Sequence, residues 1–437
     1  MKNIERQAVV IIHGMGEQRP TTTLREFVKG VKWQMEQFDS REKDSKIRSK
    51  PDSVGDIYET VRLSLEGNFK TKRPKTDFYE FYWAHNMRGT TFSHMVTWLK
   101  QVILRRFSQV PQHLKKIWLM IWITLIICIL TVGLFTLLFD IPLWLKTLVA
   151  LFGGGLLSAA LGAIGSFIKN SFLTSLGDVA RYMTPDPDNI SERSNIRQQG
   201  ISFLKKMHQI SNETRPDRII VIGHSLGSVV SYDLLRLLWT EYNETYTSFP
   251  KHQPMADAID GFAKDPNSID RNPDAFSKAQ FDFWEEAQAL GNPWLITDFI
   301  TLGAALNSID YLMVNNVPIS DLIFQRELPV CPPEIDEEDK TILYRKFFEV
   351  APGKNRKGLN VPHHGAMFSM VRWTNIYFTS DFVGGPMRRL FGKGVKDLPI
   401  ARKSLWLYPG GHTNYWEGVK GNKALEAIVR FMNLSNA

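Results

Sequence analysis

The sequence predicts an α/β fold: a doubly wound, mainly parallel sheet with an inserted two-helix transmembrane hairpin. Short β-branched runs alternate with longer helical patterns over most of the 437 residues, as in a sheet covered by helices on both faces. Two of those runs break into glycine-rich turns, Ile11-Ile-His-Gly-Met-Gly and Val221-Ile-Gly-His-Ser-Leu-Gly. Between them lie two consecutive uncharged runs of bilayer length.

Taken along the chain, strands are expected near 8–13, 57–65, 77–83, 218–222, 295–302, 373–378 and 404–408. Helices alternate with most of them, near 22–38, 190–210, 226–242, 275–290 and 423–432. The run Ala8-Val-Val-Ile-Ile has the continuous apolar character of a strand buried on both faces. Polar stretches at 40–54 and 243–276 read as surface loops or flaps, and the second follows the helix after the central turn, where a cap over a site would fit. No internal repeat and no long Pro-, Gly- or Ser-rich linker is visible.

Arg218-Ile-Ile-Val-Ile runs into Gly223-His-Ser-Leu-Gly227, which is followed by a helix-like segment. A strand that turns on small residues and restarts as a helix can hold a serine on a strained turn with its hydroxyl exposed. Ser225 is therefore the candidate nucleophile, with Gly223 and Gly227 where side chains would collide with neighbouring backbone. The blander account is a turn whose serine only caps the helix. A serine hydroxyl is a poor nucleophile near neutrality, so it needs a histidine base, an acid and donors for an oxyanion. The amides of Met15, in the loop carrying Gly14 and Gly16, and of Leu226 are the candidate donors. His13 reads as a loop-fixing residue rather than the base.

The carboxyl-terminal third supplies an acid and a base in turn. Asp381 follows the 373–378 strand in Thr379-Ser-Asp-Phe-Val-Gly-Gly, and His412 follows the 404–408 strand in Pro409-Gly-Gly-His. Ser225, Asp381 and His412 form the expected trio. Competing acids are Asp298, within the 295–302 strand, and Asp310 beyond it. His363 and His364 have no strand before them and read as a solvated turn, a loop or metal-like pair being the alternative. His224 reads as packed and Asp397 as surface.

His13-Gly-Met-Gly, Gly223-His-Ser-Leu-Gly, Asp298-Phe-Ile-Thr-Leu-Gly and the Asp381 and His412 loops together resemble the α/β-hydrolase superfamily. Among its branches they are most similar to lipase-like serine esterases, the group that includes the GPI inositol-deacylase-like lipases. The chain order Ser, Asp, His is the order that resemblance implies. It covers about 7–85 and 173–434 and not the segment between. Relatives often carry Ser-Pro after Thr-Leu-Gly, where this chain has Ala304-Ala305, so the substrate-facing surface of that loop stays open. The resemblance implies hydrolysis of acyl esters through an acyl-serine intermediate, with no metal and no cofactor. The fold also hosts thioesterases, so a depalmitoylase acting on acyl-proteins with the same trio is one rival reading. A non-catalytic membrane adaptor with a hydrolase-like fold is another.

The uncharged run 117–139 would extend roughly 35 Å as a helix, enough to cross the hydrocarbon of a bilayer. A second uncharged run occupies 147–168. Seven residues join them, Asp140 to Lys146, so both ends of the hairpin emerge on one side. The expected organisation is a first hydrolase part at 1–91, a membrane insertion at 92–172 and a second hydrolase part at 173–437. Arg105, Arg106, Lys115, Lys116, Lys169 and Arg181 flank the spans against Lys146 alone in the link, which orients the hydrolase parts toward the cytoplasm. Gly155, Ala159 and Ala163 form a small-residue stripe for packing on the first span or on a second copy of the chain, a homo-oligomer through the membrane. The segment 92–107 reads equally as an interfacial amphipathic helix or an ordinary packed one. A lipase lid is the rival account of the hairpin, but lids must sometimes meet water and these runs are unbroken by charge.

Cys128 and Cys331 are the only cysteines, so no disulfide framework exists. Met1-Lys-Asn-Ile-Glu-Arg-Gln leads into a strand without a signal peptide's apolar core, an expectation of a cytoplasmic start. The formal charge of +8 favours anionic lipid headgroups, and no basic run interleaved with aromatics points to nucleic acid. The expected partners are therefore the bilayer and a membrane lipid or other acylated substrate.

Overall fold

A computed structural model describes residues 4–14, 19–87, 187–211, 214–250, 252–312, 317–349, 356–381, 383–401 and 412–434, with scattered residues between 104 and 126 and at 182–183. The chain divides into two compact units, one of Met1–Asn86, Ser191–Asp310 and Asn315–Ala437, the other of Met87–Ile190 and Tyr311–Val314. The first unit is α/β, built on an eight-stranded, mainly parallel mixed sheet.

Its strands are β1 (Arg6–Ile12), β2 (Ile47–Pro51), β3 (Val61–Leu65), β4 (Lys75–Phe81), β5 (Arg218–His224), β6 (Ile296–Leu302), β9 (Arg372–Phe378) and β10 (Lys396–Ile400), in the order β10-β9-β6-β5-β1-β4-β3-β2. A separate antiparallel hairpin pairs β7 (Leu343–Glu349) with β8 (Arg356–Pro362). Every pairing from β10 across to β4 is parallel, and only β2 and β3 run against their neighbours. The parallel strands thus end along one edge of the sheet. Ser225 and Asp381 follow two of those ends.

The central strands are apolar because helices cover both faces. Val9 and Ile11 of β1 and Phe78 of β4 lie in one core cluster with Leu24, Phe27, Val28 and Val31 of α1 (Thr22–Phe38), together with residues of the last helix, Lys423–Phe431. On the other face Tyr79 and Phe81 meet Phe203 of α2 (Pro187–His208), at ring separations of 6.5 and 5.8 Å. Behind the central turn, α3 (Gly227–Tyr242) buries Tyr232 against Trp373 and sets Trp239 edge-on to Trp294.

Several expectations need correction. The polar stretch 40–54 carries a 3-10 turn and β2, an edge strand whose Arg48 and Ser49 face solvent and which ends on Pro51. An edge strand buries little, so it carries no apolar alternation to read. The strand expected from 57 begins at Val61, because Asp52 ties the Val54 and Gly55 amides and the Thr60 hydroxyl into a turn ahead of it. The stretch 243–276 is not a loop: it forms α4 (Pro254–Lys264) and α5 (Asn267–Arg271), and α6 (Pro273–Ala289) starts within it. The hairpin β7–β8 and strand β10 were not expected at all. The strand expected at 404–408 lies outside the described residues.

The transmembrane hairpin is not supported by the described residues: none of their helices is long and apolar enough to cross a membrane. Residues 147–168 and most of 117–139 lie outside them.

Glu80 on β4 is buried and has no ion-pair partner among the described residues; its carboxylate accepts from the Thr21 amide at 2.6 Å. Burial pushes it up to about 7, an effect only partly offset by the Thr21 and Leu24 amides. The folded state therefore holds a proton that the unfolded chain releases, so this group's contribution to stability is complete below about 4.5 and is lost as pH rises through about 7. Glu80→Gln is expected to remove that dependence and to stabilise the fold at pH 8 by on the order of 3 kcal/mol, with little change near pH 4. Denaturation midpoints of both proteins across this pH range check it, and parallel curves refute it.

Candidate active site

The turn after β5 holds Ser225 at φ +54°, a left-handed conformation that costs a non-glycine residue energy and marks a constrained position. Backbone bonds fix it: the Ser225 amide donates to the Leu302 carbonyl at 3.0 Å, and its own carbonyl accepts from the Ser228 amide and hydroxyl. The glycines around it are steric necessities. A methyl group at Gly227 would lie 2.2 Å from the Ile12 carbonyl oxygen, and one at Gly223 would lie 2.6 Å from the Cα of Ser228. At Gly14 it would come within 2.9 Å of the Ser225 Cβ.

Three side chains distant in sequence meet here. The Ser225 hydroxyl is 2.9 Å from Nε2 of His412, whose Nδ1 lies 2.9 and 3.1 Å from the two oxygens of Asp381. Asp381 is fully buried at its side chain. Burial alone would raise its carboxyl, but His412, the Tyr415 hydroxyl and the Val383 amide outweigh that and hold it well below the usual carboxylate range. A carboxylate only accepts, so Nδ1 of His412 carries the proton and Nε2 is left to accept from the serine. The Leu226 amide donates to no protein group among the described residues and lies directly after the nucleophile candidate. Met15 and Gly16 lie outside the described residues.

Three other histidines, His13, His224 and His363, are engaged elsewhere. His13 stacks on Trp83; its Nδ1 donates to the Gly14 carbonyl at 2.8 Å, and its Nε2 accepts from the Trp83 amide at 3.3 Å. Burial lowers it to about 4, only partly offset by the Gly14 carbonyl, so with both nitrogens engaged it has no capacity left as a base. His224 is buried and donates Nε2–H to the His412 carbonyl at 2.8 Å. Burial foremost, with His412 beside it, lowers it to about 3. It therefore anchors the backbone of the very residue whose ring faces Ser225. His363, expected in a solvated turn without a preceding strand, is instead buried directly after β8, with Nε2 on the Glu334 carbonyl and Nδ1 accepting from the Gly365 amide. His364 beside it is exposed.

The competing acids lie elsewhere. Asp298 sits near the start of β6, five residues before the edge that carries Ser225, and pairs with Arg372 and Arg218. Asp310 pairs with Arg389. Asp397 is not plain surface: on β10 it accepts from the side chain of Asn375 and the Met387 and Arg388 amides, holding together the segment after Asp381.

Tyr415 was missed by the sequence reading. Its hydroxyl donates to Asp381 at 2.6 Å and accepts from the Phe378 amide at 3.1 Å. A tyrosine three residues after a histidine in a polar loop carries no pattern that would have singled it out. Trp416 beside it anchors the loop on α1, where a methyl at Gly30 would lie 1.9 Å from the Trp416 carbonyl oxygen.

The arrangement can transfer a proton from Ser225 to His412 while Asp381 stabilises the charge that forms. No metal-binding group of three or more His, Cys, Asp or Glu occurs among the described residues. No known family model, curated protein or solved structure matches the chain.

Proposed function

We propose that the protein is a membrane-anchored serine hydrolase of the α/β-hydrolase, lipase-like kind, cleaving acyl esters at a bilayer surface. The observation that carries this reading is the continuous hydrogen-bonded line from Ser225 through His412 to Asp381, on a strained turn after a central parallel strand. Ser225 attacks the acyl carbonyl as its proton passes to Nε2 of His412. The tetrahedral oxyanion is held by the Leu226 amide and, in this reading, the Met15 amide. The C–O bond to the alcohol then breaks, and the alcohol leaves with the proton from His412. Water, deprotonated by the same imidazole, attacks the acyl-serine, releasing the acid and restoring the hydroxyl.

The uncharged runs 117–139 and 147–168 support the membrane part, with the hydrolase unit on the cytoplasmic side. Within the first run, Leu119, Ile123 and Ile126 are helical, share one stripe and are each about half exposed, which suits contact with lipid. A tether of this kind keeps the site beside phospholipid or other acylated lipid.

The test is full-length protein in liposomes treated with a fluorophosphonate. Labelling is expected at Ser225 and is expected to vanish in Ser225→Ala, along with phospholipid turnover but not membrane insertion. Folded wild-type protein that takes no label, or a Ser225→Ala protein that still turns over ester, refutes the reading. Faster release from an acyl-thioester than from phospholipid would redirect it to acyl-proteins.

A further inference from the structure

We propose that Tyr415 is a positioning residue that fixes the Asp381 carboxylate and limits how much of its charge reaches His412. The inference deepens the reading of Ser225, His412 and Asp381 as a working trio. Tyr415 is fully buried and its ring stacks on Phe378 at a centroid distance of 4.4 Å. The Phe378 amide can only donate, and it occupies the hydroxyl's acceptor side, so the phenol must give its proton to Asp381.

The surroundings are shaped for this contact. Gly303, at φ +51°, leaves room that a methyl would fill at 2.7 Å from both Oδ2 of Asp381 and the Tyr415 ring, and a methyl at Gly384 would stand 3.0 Å from the same oxygen. Oδ2 is also the oxygen nearer to His412, so phenol and imidazole compete for one atom's charge. Among the described residues the other titratable group facing the pair is His224, 5.9 Å from the Tyr415 ring and held neutral by burial. The cluster around Tyr415 from α1, β6 and the last helix is apolar.

Removing the hydroxyl returns charge to the side of Oδ2 that faces the imidazole and frees the carboxylate to rotate. The first effect favours the protonated ring of His412; the second disorders it. In full-length Tyr415→Phe protein, the midpoint at which the His412 ring carbons titrate by NMR is expected to rise by about half a unit. Ester kcat is expected to fall roughly tenfold with KM unchanged. Site-specific 3-fluorotyrosine at 415, a stronger donor of the same shape, should move the midpoint downward; it also serves if the phenylalanine variant fails to fold. An unmoved midpoint in a folded variant overturns the proposal, whether or not kcat falls, because a packing role alone would not shift it. The NMR titration needs no turnover. Failure of Ser225 to take a fluorophosphonate would therefore sink the nucleophile assignment while leaving Tyr415 to be judged on its own.

Discussion

Replacing His412 by Ala is expected to lower ester kcat by about 10⁶, because without the imidazole the serine keeps its proton and the leaving alcohol has no donor. Asp381→Asn is expected to cost about 10⁴: its amide can donate to Nδ1, which would place the remaining proton on Nε2, the wrong face of the ring for Ser225. Adding Ser225→Ala should cost almost nothing beyond His412→Ala and about a further hundredfold beyond Asp381→Asn, as expected of three groups that act as one device. Single-turnover rates on a soluble ester, with folding checked by circular dichroism, measure this. A folded His412→Ala protein with near-normal turnover, or losses that simply multiply, would remove these residues from the chemistry.

Asp298→Ala is expected to act on stability instead. Arg218 is buried, and burial draws its guanidinium down to about 10 despite the carboxylate beside it. For Asp298 burial is again the largest influence and would raise it, but the guanidinium groups of Arg372 and Arg218 outweigh that and keep it below its usual range. Deleting the carboxylate leaves the Arg218 charge buried in the sheet, near Arg372, with the Gln7 side chain and the Met432 carbonyl as its hydrogen-bond acceptors among the described residues, a loss of about 3–5 kcal/mol. Turnover per folded molecule should stay at the wild-type level. A stable variant with depressed kcat would instead mark Asp298 as the acid and displace Asp381.

The contrast between these two aspartates shows what one dimension of sequence can and cannot convey. Both follow or lie in apolar runs, and nothing local says which end of its strand faces the serine; only the parallel register of β5, β6 and β9 separates them. The glycine-framed turn at 223–227 was legible because close backbone contact leaves a local signature, residues with no side chain at fixed offsets. The strands β1 and β5 were legible for a similar reason, as burial on both faces imposes continuous apolar runs. The strands that escaped notice, β2, β7, β8 and β10, lie at a sheet edge or in a detached hairpin, where half the positions meet water. Tyr415 and the His224 anchor escaped because each acts through a partner more than thirty residues away.

The first strand and the last helix share a buried bond: the Gln7 side-chain amide donates to the Met432 carbonyl at 2.8 Å, and Arg218 grips the same glutamine from β5. During synthesis the polar end of β1 must therefore wait for this partner until residue 432 has left the ribosome. His412 emerges only shortly before that clasp can close. A nascent chain stalled before residue 412 would display the serine turn without the imidazole that faces it, so the three side chains can meet only after the strands that position Ser225 and Asp381 have been made.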